Sequence, residues 1–282
     1  MKFADVNKTI IKLCKDNSLD FLAECEAIQS EVDACSLPEI LDHLDNAGII
    51  PECFDHDSTE EKLFAKYCDS LLARGLREIG LNAYTIPERS DAADVQGKGS
   101  NYTIVGDAKA FRLSRTAKNQ KDFKVEALDK WRNGSDFAVL VSPLYQYPNT
   151  NSQIYSQAIR YNVTLLSYTH LAFLIRNRNN IKNGSLRGLW EIGKKLSIGK
   201  SAKSYWGLID AKMLEITGKD KKDWDSAIET EYKCLVQRAK DEIKYWEDEK
   251  AKILKLSHDA AIQELIKARK ITEKVGVIKQ FI

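Results

Sequence analysis

The sequence lacks any run of about 18 apolar residues, the length that a membrane-spanning helix requires. Its first residues, Met1 to Asp5, also lack the apolar core of a secretory signal peptide. Both absences disfavour membrane-spanning and exported proteins. We therefore expect a cytoplasmic protein with no membrane partner.

Paired cysteines and a strong net charge are also missing. The six cysteines, at positions 14, 25, 35, 53, 68 and 234, include no C-x-x-C pair, so zinc and dithiol redox chemistry are not favoured. We expect them to be buried thiols. The formal charge is only +2, which means that a nucleic-acid partner would have to be recognised by a local concentration of cations.

The composition that remains is that of a folded globular protein, with 43% hydrophobic and 30% charged residues. A chain of 282 residues can bury a large core, and we expect one principal domain, 1–282. Within it, residues 1–50 predict a helical cap, with Pro38 at a helix start, and residues 205–282 predict a helical C-terminal region. Residues 177–204 are rich in Asn, Lys, Gly and Ser and are predicted to be a loop or linker.

The central region, 51–176, alternates helix and strand patterns. Ser58 and Glu61 have capping-box spacing at the start of a helix that runs to about Glu78 and is ended by Gly80. Further strands are predicted over 102–111, 137–142 and 163–168, and further helices over 121–131, 152–160 and 169–176. A Gly-containing turn should pair Asp94 and Val95 with the first of these strands. This order predicts an α/β fold with a mixed central sheet flanked by helices, and with additional N- and C-terminal helices.

A long amphipathic helix is predicted near the C-terminus. Its apolar residues recur at intervals of three and four: Trp224, Ile228, Tyr232, Leu235, Ala239, Ile243 and Trp246. The helix could extend to about Lys270, and its mixed charges are typical of a solvated face. The apolar stripe is either core or a dimer seam, and the pattern does not decide between them.

Three residues have the chemistry of a metal-dependent hydrolytic site. Side chains alternate along a strand, so Asp107 and Lys109 lie on one face, and the hairpin returns Asp94 to the same neighbourhood. Two carboxylates and a substrate phosphate oxygen are sufficient ligands for Mg²⁺, and Lys109 could orient or help to deprotonate an attacking water. Taken alone, however, a D-x-K pattern is weak evidence, and a simple surface ion pair is the favoured interpretation.

A local concentration of cations follows directly. Arg112, Arg115, Lys118, Lys121 and Lys124 recur at three-residue intervals. Ser114, Asn119 and Gln120 lie among them and add hydrogen-bonding side chains. Cations bind phosphates, while Arg, Asn and Gln can also pair with base edges, so this segment is a candidate DNA-binding element. A solvated helix entrance is the alternative interpretation.

Three segments carry a more specific resemblance. Residues 106–125, 58–66 and 146–154 resemble the HindIII family of type II restriction endonucleases, and the similarity extends from about Ile49 to Leu174. The resemblance implies the restriction-endonuclease-like PD-(D/E)xK fold, a homodimer, Mg²⁺ and cleavage of double-stranded DNA at a palindrome, AAGCTT. It also implies that Asp94, Asp107 and Lys109 are the motif residues and that Asp94 and Asp107 are the metal ligands. Ala93 replaces the proline that often precedes the first acid.

Two rival functions share this fold. A catalytically silent DNA-binding module would keep the fold without cutting, although intact Asp94, Asp107 and Lys109 argue against it. A repair or junction-resolving nuclease would use the same chemistry on another DNA substrate. Glu61 and Glu88 could assist the site, but a capping role is favoured for Glu61, and neither is assigned to the site.

Overall fold

The computed structural model describes residues 1–86, 92–115, 120–182 and 184–280. The chain divides into two compact units, Met1–Arg238 and Ala239–Ile282. The first unit contains the sheet and the residues of the predicted site. Among the described residues, no helix has the length and apolar character needed to cross a membrane.

The first unit begins with four helices. They are α1 (Val6–Cys14), α2 (Phe21–Asp33), α3 (Leu37–Asn46) and α4 (Thr59–Glu78). Pro38 lies in the first turn of α3, as predicted, behind a capping box formed by Ser36 and Glu39. Ser58 caps α4 by accepting a hydrogen bond from the Glu61 N–H, as its spacing predicted. The Glu61 carboxylate, however, accepts from the Asp57 N–H at 2.8 Å.

Within the part of the chain that the structure describes, the sheet has five strands in the order β1 (Asn82–Thr85), β2 (Val95–Lys98), β3 (Thr103–Ala108), β4 (Phe137–Ser142) and β5 (Val163–Ser167). The first three strands are antiparallel, whereas β3, β4 and β5 are parallel, which confirms the predicted mixed sheet. All residues of β4 and β5 are buried, as expected of parallel strands covered by helices. The short strand β1 was not predicted.

Helices alternate with the parallel strands and cover the sheet. They are α5 (Gln120–Phe123), α6 (Val125–Lys130), α7 (Gln153–Tyr161), α8 (Tyr168–Arg176), α9 (Arg187–Trp190) and α10 (Ala202–Thr217). Helix α4 packs on β1, β2 and β3. A side chain at Gly106 would meet Leu72 of α4 at 3.0 Å, so a glycine lets the helix lie close to β3.

Two predictions about local structure were wrong. Residues 177–204 are not a simple loop or linker: they contain α9 and the 3₁₀ turns Arg178–Asn180 and Ile192–Lys195, and they bury Leu189 and Trp190. Nor are all six cysteines buried, because Cys53 is exposed and three others are half-buried. Residues 177–204 are anchored by apolar side chains scattered among polar ones, and their polar composition therefore predicted a loop incorrectly.

The predicted C-terminal helix is α11 (Lys221–Ile253), and it stops short of Lys270. Ser257 then caps α12 (His258–Ala268) by accepting a hydrogen bond from the Ala260 N–H, and α13 (Ile271–Lys279) follows. Trp224, at the start of the apolar stripe, is core, because its ring lies 4.5 Å from the ring of His170.

Candidate active site

The hairpin of β2 and β3 brings Asp94 to Asp107. Val95 pairs with Gly106, so the residues on either side of that pair face each other across the two strands. The Asp94 carbonyl accepts a hydrogen bond of 2.8 Å from the Ile86 N–H, which ties the start of β2 to the chain after β1. The parallel strand β4 holds the far side of β3, because the Lys109 N–H donates to the Val141 carbonyl at 2.7 Å.

Helix α4 contributes a third carboxylate, Asp69. Asp69, Asp94 and Asp107 each place a carboxylate oxygen within 4.8 Å of the others. The Asp69 carboxylate also accepts a hydrogen bond of 3.2 Å from the Ala108 N–H, which fixes the acid to β3. Asp69 was not identified from the sequence. The sequence pattern that could have indicated it is the position of this acid on the apolar face of α4, three residues before the buried Leu72.

Two ammonium groups accompany the three carboxylates. The Lys109 Nζ lies 2.5 Å from Asp107 Oδ2, so strand periodicity correctly predicted their proximity. The Lys66 Nζ lies 2.6 Å from Asp94 Oδ1 and 3.8 Å from Asp69 Oδ2. Lys66 was also missed, although it lies one helical turn before Asp69 on α4.

Burial and mutual repulsion disturb the protonation of this cluster. Burial, reinforced by the charges of Asp94 and Asp107, raises the pKa of Asp69 well above its usual range. Burial likewise raises the pKa of Asp107, although the ammonium of Lys109 opposes the change. For Lys109, burial opposes the charged form, but the neighbouring carboxylates outweigh it and raise its pKa. The neighbouring carboxylates therefore favour the protonated form of Lys109.

The donor set fits a hard divalent cation. Carboxylate oxygens are the protein ligands that Mg²⁺ and similar ions prefer, and two of the three acids are almost fully buried. Burying three mutually repelling carboxylates is unfavourable unless a cation compensates them. Asp69, Asp94 and Asp107 are thus the residues that could hold a metal, with Lys109 beside it.

Comparisons with known proteins identify the family. A model of the HindIII restriction endonuclease family matches residues 4–282. The type II restriction enzyme HindIII of Haemophilus influenzae is 36% identical over 253 residues, which cover 86% of this chain and 84% of that enzyme. The chain belongs to the HindIII restriction endonuclease family. It is a HindIII-like type II restriction endonuclease, a site-specific nuclease that acts on DNA, and enzymes of this type generally need a divalent metal.

In this HindIII-family nuclease the first residues of the basic segment are held by acidic partners. Arg112 donates to Glu61 at 3.1 Å and to the Pro51 carbonyl at 3.0 Å. The backbone N–H and hydroxyl of Ser114 donate to the buried carboxylate of Glu52 at 3.0 and 2.9 Å. Arg115 pairs with Asp122 at 2.5 Å. These contacts fix the path of the chain as it leaves β3.

The rest of the basic segment is only partly described. Lys118, Asn119 and also Glu88 lie outside the described residues, as does the side chain of Gln120, whose backbone begins α5. Lys121 and Lys124 line an open cavity of about 750 Å³ that is also lined by Lys130 and Trp131. Burial raises the pKa of Asp107, and the charges of Lys109 and, more weakly, of Lys124 oppose that change.

A second polar constellation resembles a hydrolase triad but is structural. The Ser167 hydroxyl lies 2.6 Å from His170 Nδ1, and His170 Nε2 lies 3.0 Å from Asp210. Ser167, however, is fully buried and caps α8 by accepting from the His170 N–H. A nucleophile must reach its substrate, so these residues join α8 to α10 and do not form a hydrolytic site.

Proposed function

We propose that this chain is a magnesium-dependent restriction endonuclease that cuts both strands of duplex DNA at a palindromic site, AAGCTT. The observation that carries the proposal is the convergence of Asp69, Asp94 and Asp107 beside Lys109. The family resemblance of residues 106–125 supports AAGCTT as the target. The products expected from in-line attack of water on phosphorus are a 5′-phosphate and a 3′-hydroxyl.

The catalytic residues have separable tasks in this proposal. Asp94 and Asp107, with Asp69, would hold Mg²⁺, which supplies charge neutralisation at the phosphate and an acidified water. Lys109, whose protonated form is favoured by the neighbouring carboxylates, would donate a hydrogen bond to a phosphate oxygen and orient the attacking water. The hydrogen bond from Tyr168 to the Lys109 carbonyl, at 3.0 Å, steadies the backbone that carries it.

The DNA contacts are proposed to come from the segment that leaves β3. Lys118, Lys121 and Lys124 would contact phosphates, and Asn119 and Gln120 would read base edges, with Asn119 as the principal base reader. Arg112, Ser114 and Arg115 remain in the proposed DNA-binding set. An arginine has five N–H donors, so one ion pair with the protein does not exhaust its capacity.

A homodimer follows from the symmetry of the proposed target. A palindrome presents two equivalent half-sites, and two identical subunits place one metal site on each strand. The second unit offers apolar surface for such an assembly, since no described residue of α12 or α13 is buried. Its exposed side chains include Leu254, Ile262, Leu265 and Ile278. The duplex DNA substrate and the six thiols favour a cytoplasmic location.

The decisive experiment is digestion of a plasmid of known sequence with Mg²⁺, followed by mapping of the ends. Discrete fragments that end at AAGCTT are expected, and Asp107→Ala should bind the same DNA without cutting it. Binding without cutting by the parent protein would favour the silent module. Preferential cutting of branched DNA would favour the junction-resolving alternative. Light scattering of the complex should give two chains per duplex.

A further inference from the structure

We propose that Lys66 is a displaceable counter-ion that occupies part of the metal site and turns away when the metal binds. The inference rests on the metal site proposed above but concerns a residue with no role in that proposal. Its starting point is geometric: the Lys66 Nζ lies within 4 Å of two of the three carboxylates that could hold the ion.

The charges of the cluster require such a group when no metal is bound. Asp69, Asp94 and Asp107 bring three carboxylates together, and Lys109 is already engaged with Asp107 at 2.5 Å. Lys66 compensates the other side of the cluster through its contact of 2.6 Å with Asp94. A divalent ion bound to the same oxygens would meet the ammonium at close range, and like charges at a few ångströms repel strongly in a buried site. Lys66 and the metal therefore compete for Asp94.

The structure provides a place for the displaced side chain. Lys66 also lines a cavity of about 390 Å³ between α2, α4 and the chain after β1. Polar side chains from three elements line the same cavity: Glu26, Gln29, Ser70 and Thr85. The exposed carboxylate of Glu26 can receive the ammonium there. In this proposal, a rotation of the Lys66 side chain would exchange Asp94 for Glu26, which lines the same cavity.

Lys66 and Lys109 are consequently not equivalent. Lys109 directly follows β3, the strand that carries Asp107, and is proposed to remain beside the reacting phosphate, whereas Lys66 is on a helix with a cavity beside it. The contact of Lys66 sets how much free energy the metal must supply on binding. Lys66 thereby tunes metal affinity, and it touches no substrate.

The test is a titration of the DNA-free protein with Mn²⁺. Binding is monitored by electron paramagnetic resonance as the loss of the signal of the free ion. Lys66→Met should bind Mn²⁺ about tenfold or more tightly than the parent, the factor expected when a charge-assisted contact no longer has to be broken. Lys62→Met is the matched control, because Lys62 is exposed one turn earlier on α4. It removes the same charge and should leave the affinity nearly unchanged.

A second variant tests the destination. Glu26→Lys places a cation in the receiving cavity and should weaken Mn²⁺ binding a few-fold, because the displaced ammonium then meets a like charge.

Three results would overturn the proposal. Unchanged or weaker Mn²⁺ binding by Lys66→Met, with normal cleavage by the parent enzyme, refutes displacement while leaving the nuclease function standing. Equal tightening by Lys62→Met would reduce the effect to net charge. Absence of Mn²⁺ binding by both the parent and Lys66→Met would refute the displacement and the metal site together.

Discussion

Replacing Asp69 by Asn should stabilise the protein in the absence of metal and abolish DNA cleavage in the presence of Mg²⁺. Asp69 is 3% exposed, and burial, with the charges of its two acidic neighbours, raises its pKa. A carboxyl whose folded pKa lies above its unfolded value of about 3.9 opposes folding increasingly as the pH rises between the two values. Asn removes that charge and keeps a side-chain oxygen for the Ala108 N–H.

The magnitude follows from the cost of the buried charge. Each unit of pKa elevation corresponds to about 1.4 kcal/mol. Relief of an incompletely compensated buried charge is typically worth about 1–3 kcal/mol. We therefore expect the free energy of unfolding of Asp69→Asn to exceed that of the parent by that amount at neutral pH without metal. Metal acts in the opposite direction, because an ion at 100 times its Kd would add about 2.7 kcal/mol to the parent, so the ranking should reverse wherever the metal-free difference is below that value.

Urea denaturation with EDTA and with Mg²⁺, together with plasmid cleavage, measures both effects. Glu78→Gln is the control on the same helix: it breaks the ion pair with Arg74 and should cost at most about 1 kcal/mol, with or without metal. A metal-free Asp69→Asn protein less stable than the parent would refute the electrostatic reasoning. Normal cleavage by Asp69→Asn would remove Asp69 from the metal site.

Three further predictions concern the core and the proposed DNA-binding segment. Burial lowers the pKa of His43, so on acidification the unfolded chain takes up a proton before the folded protein does. The contribution of His43 to stability is therefore complete above about pH 6.5. It is lost as the pH falls toward the pKa of His43 in the folded protein, by at most about 1.4 kcal/mol per pH unit. The stability difference between the parent and His43→Gln should shrink accordingly in urea melts from pH 7.5 to 5.5. Gly48→Ala should cost about 2 kcal/mol or more in thermal unfolding and lower cleavage, since Gly48 has a φ of +81° and a methyl group there would lie 2.4 Å from Pro143 and 2.6 Å from Tyr168. Lys121→Ala should weaken specific and nonspecific DNA binding alike and reduce the slope of log affinity against log salt by about one unit; an unchanged slope would place Lys121 away from phosphates.

The parts of the site that sequence could predict are those set by local geometry. Period-two alternation places Asp107 and Lys109 on one face, and a glycine-containing turn of a few residues forces β2 back along β3. Neither relation depends on the rest of the fold, which is why Asp94 was correctly brought to Asp107. The cap at Ser58 and the apolar run of β4 were predictable for the same reason.

Asp69 and Lys66 could not be found in this way, because their role depends on how a helix packs against a sheet. On α4 they lie three residues apart, and although Asp69 is on the apolar face of that helix, the sequence does not show which groups it meets there. Only the approach of α4 to β3, which Gly106 permits, turns Asp69 toward the other acids. Likewise, the burial of the few apolar residues in 177–204, such as Trp190, could not be predicted without knowing which part of the core they contact.

The basic segment shows why a cluster of cationic residues in the sequence does not identify which of them contact DNA. Arg112 and Ser114 have the chemistry of DNA contacts, yet the carboxylates of Glu61 and Glu52 hold them to the protein. Such contacts order the chain where it leaves β3, and a segment that is ordered before binding would lose less conformational entropy if it contacts DNA as proposed. Acids near a phosphate-binding surface would repel DNA if they were unpaired, but an arginine partner cancels that charge. In the proposed DNA complex, the paired residues next to β3 would position the chain beside the acidic cluster, and the lysines farther along the chain would attract the phosphates.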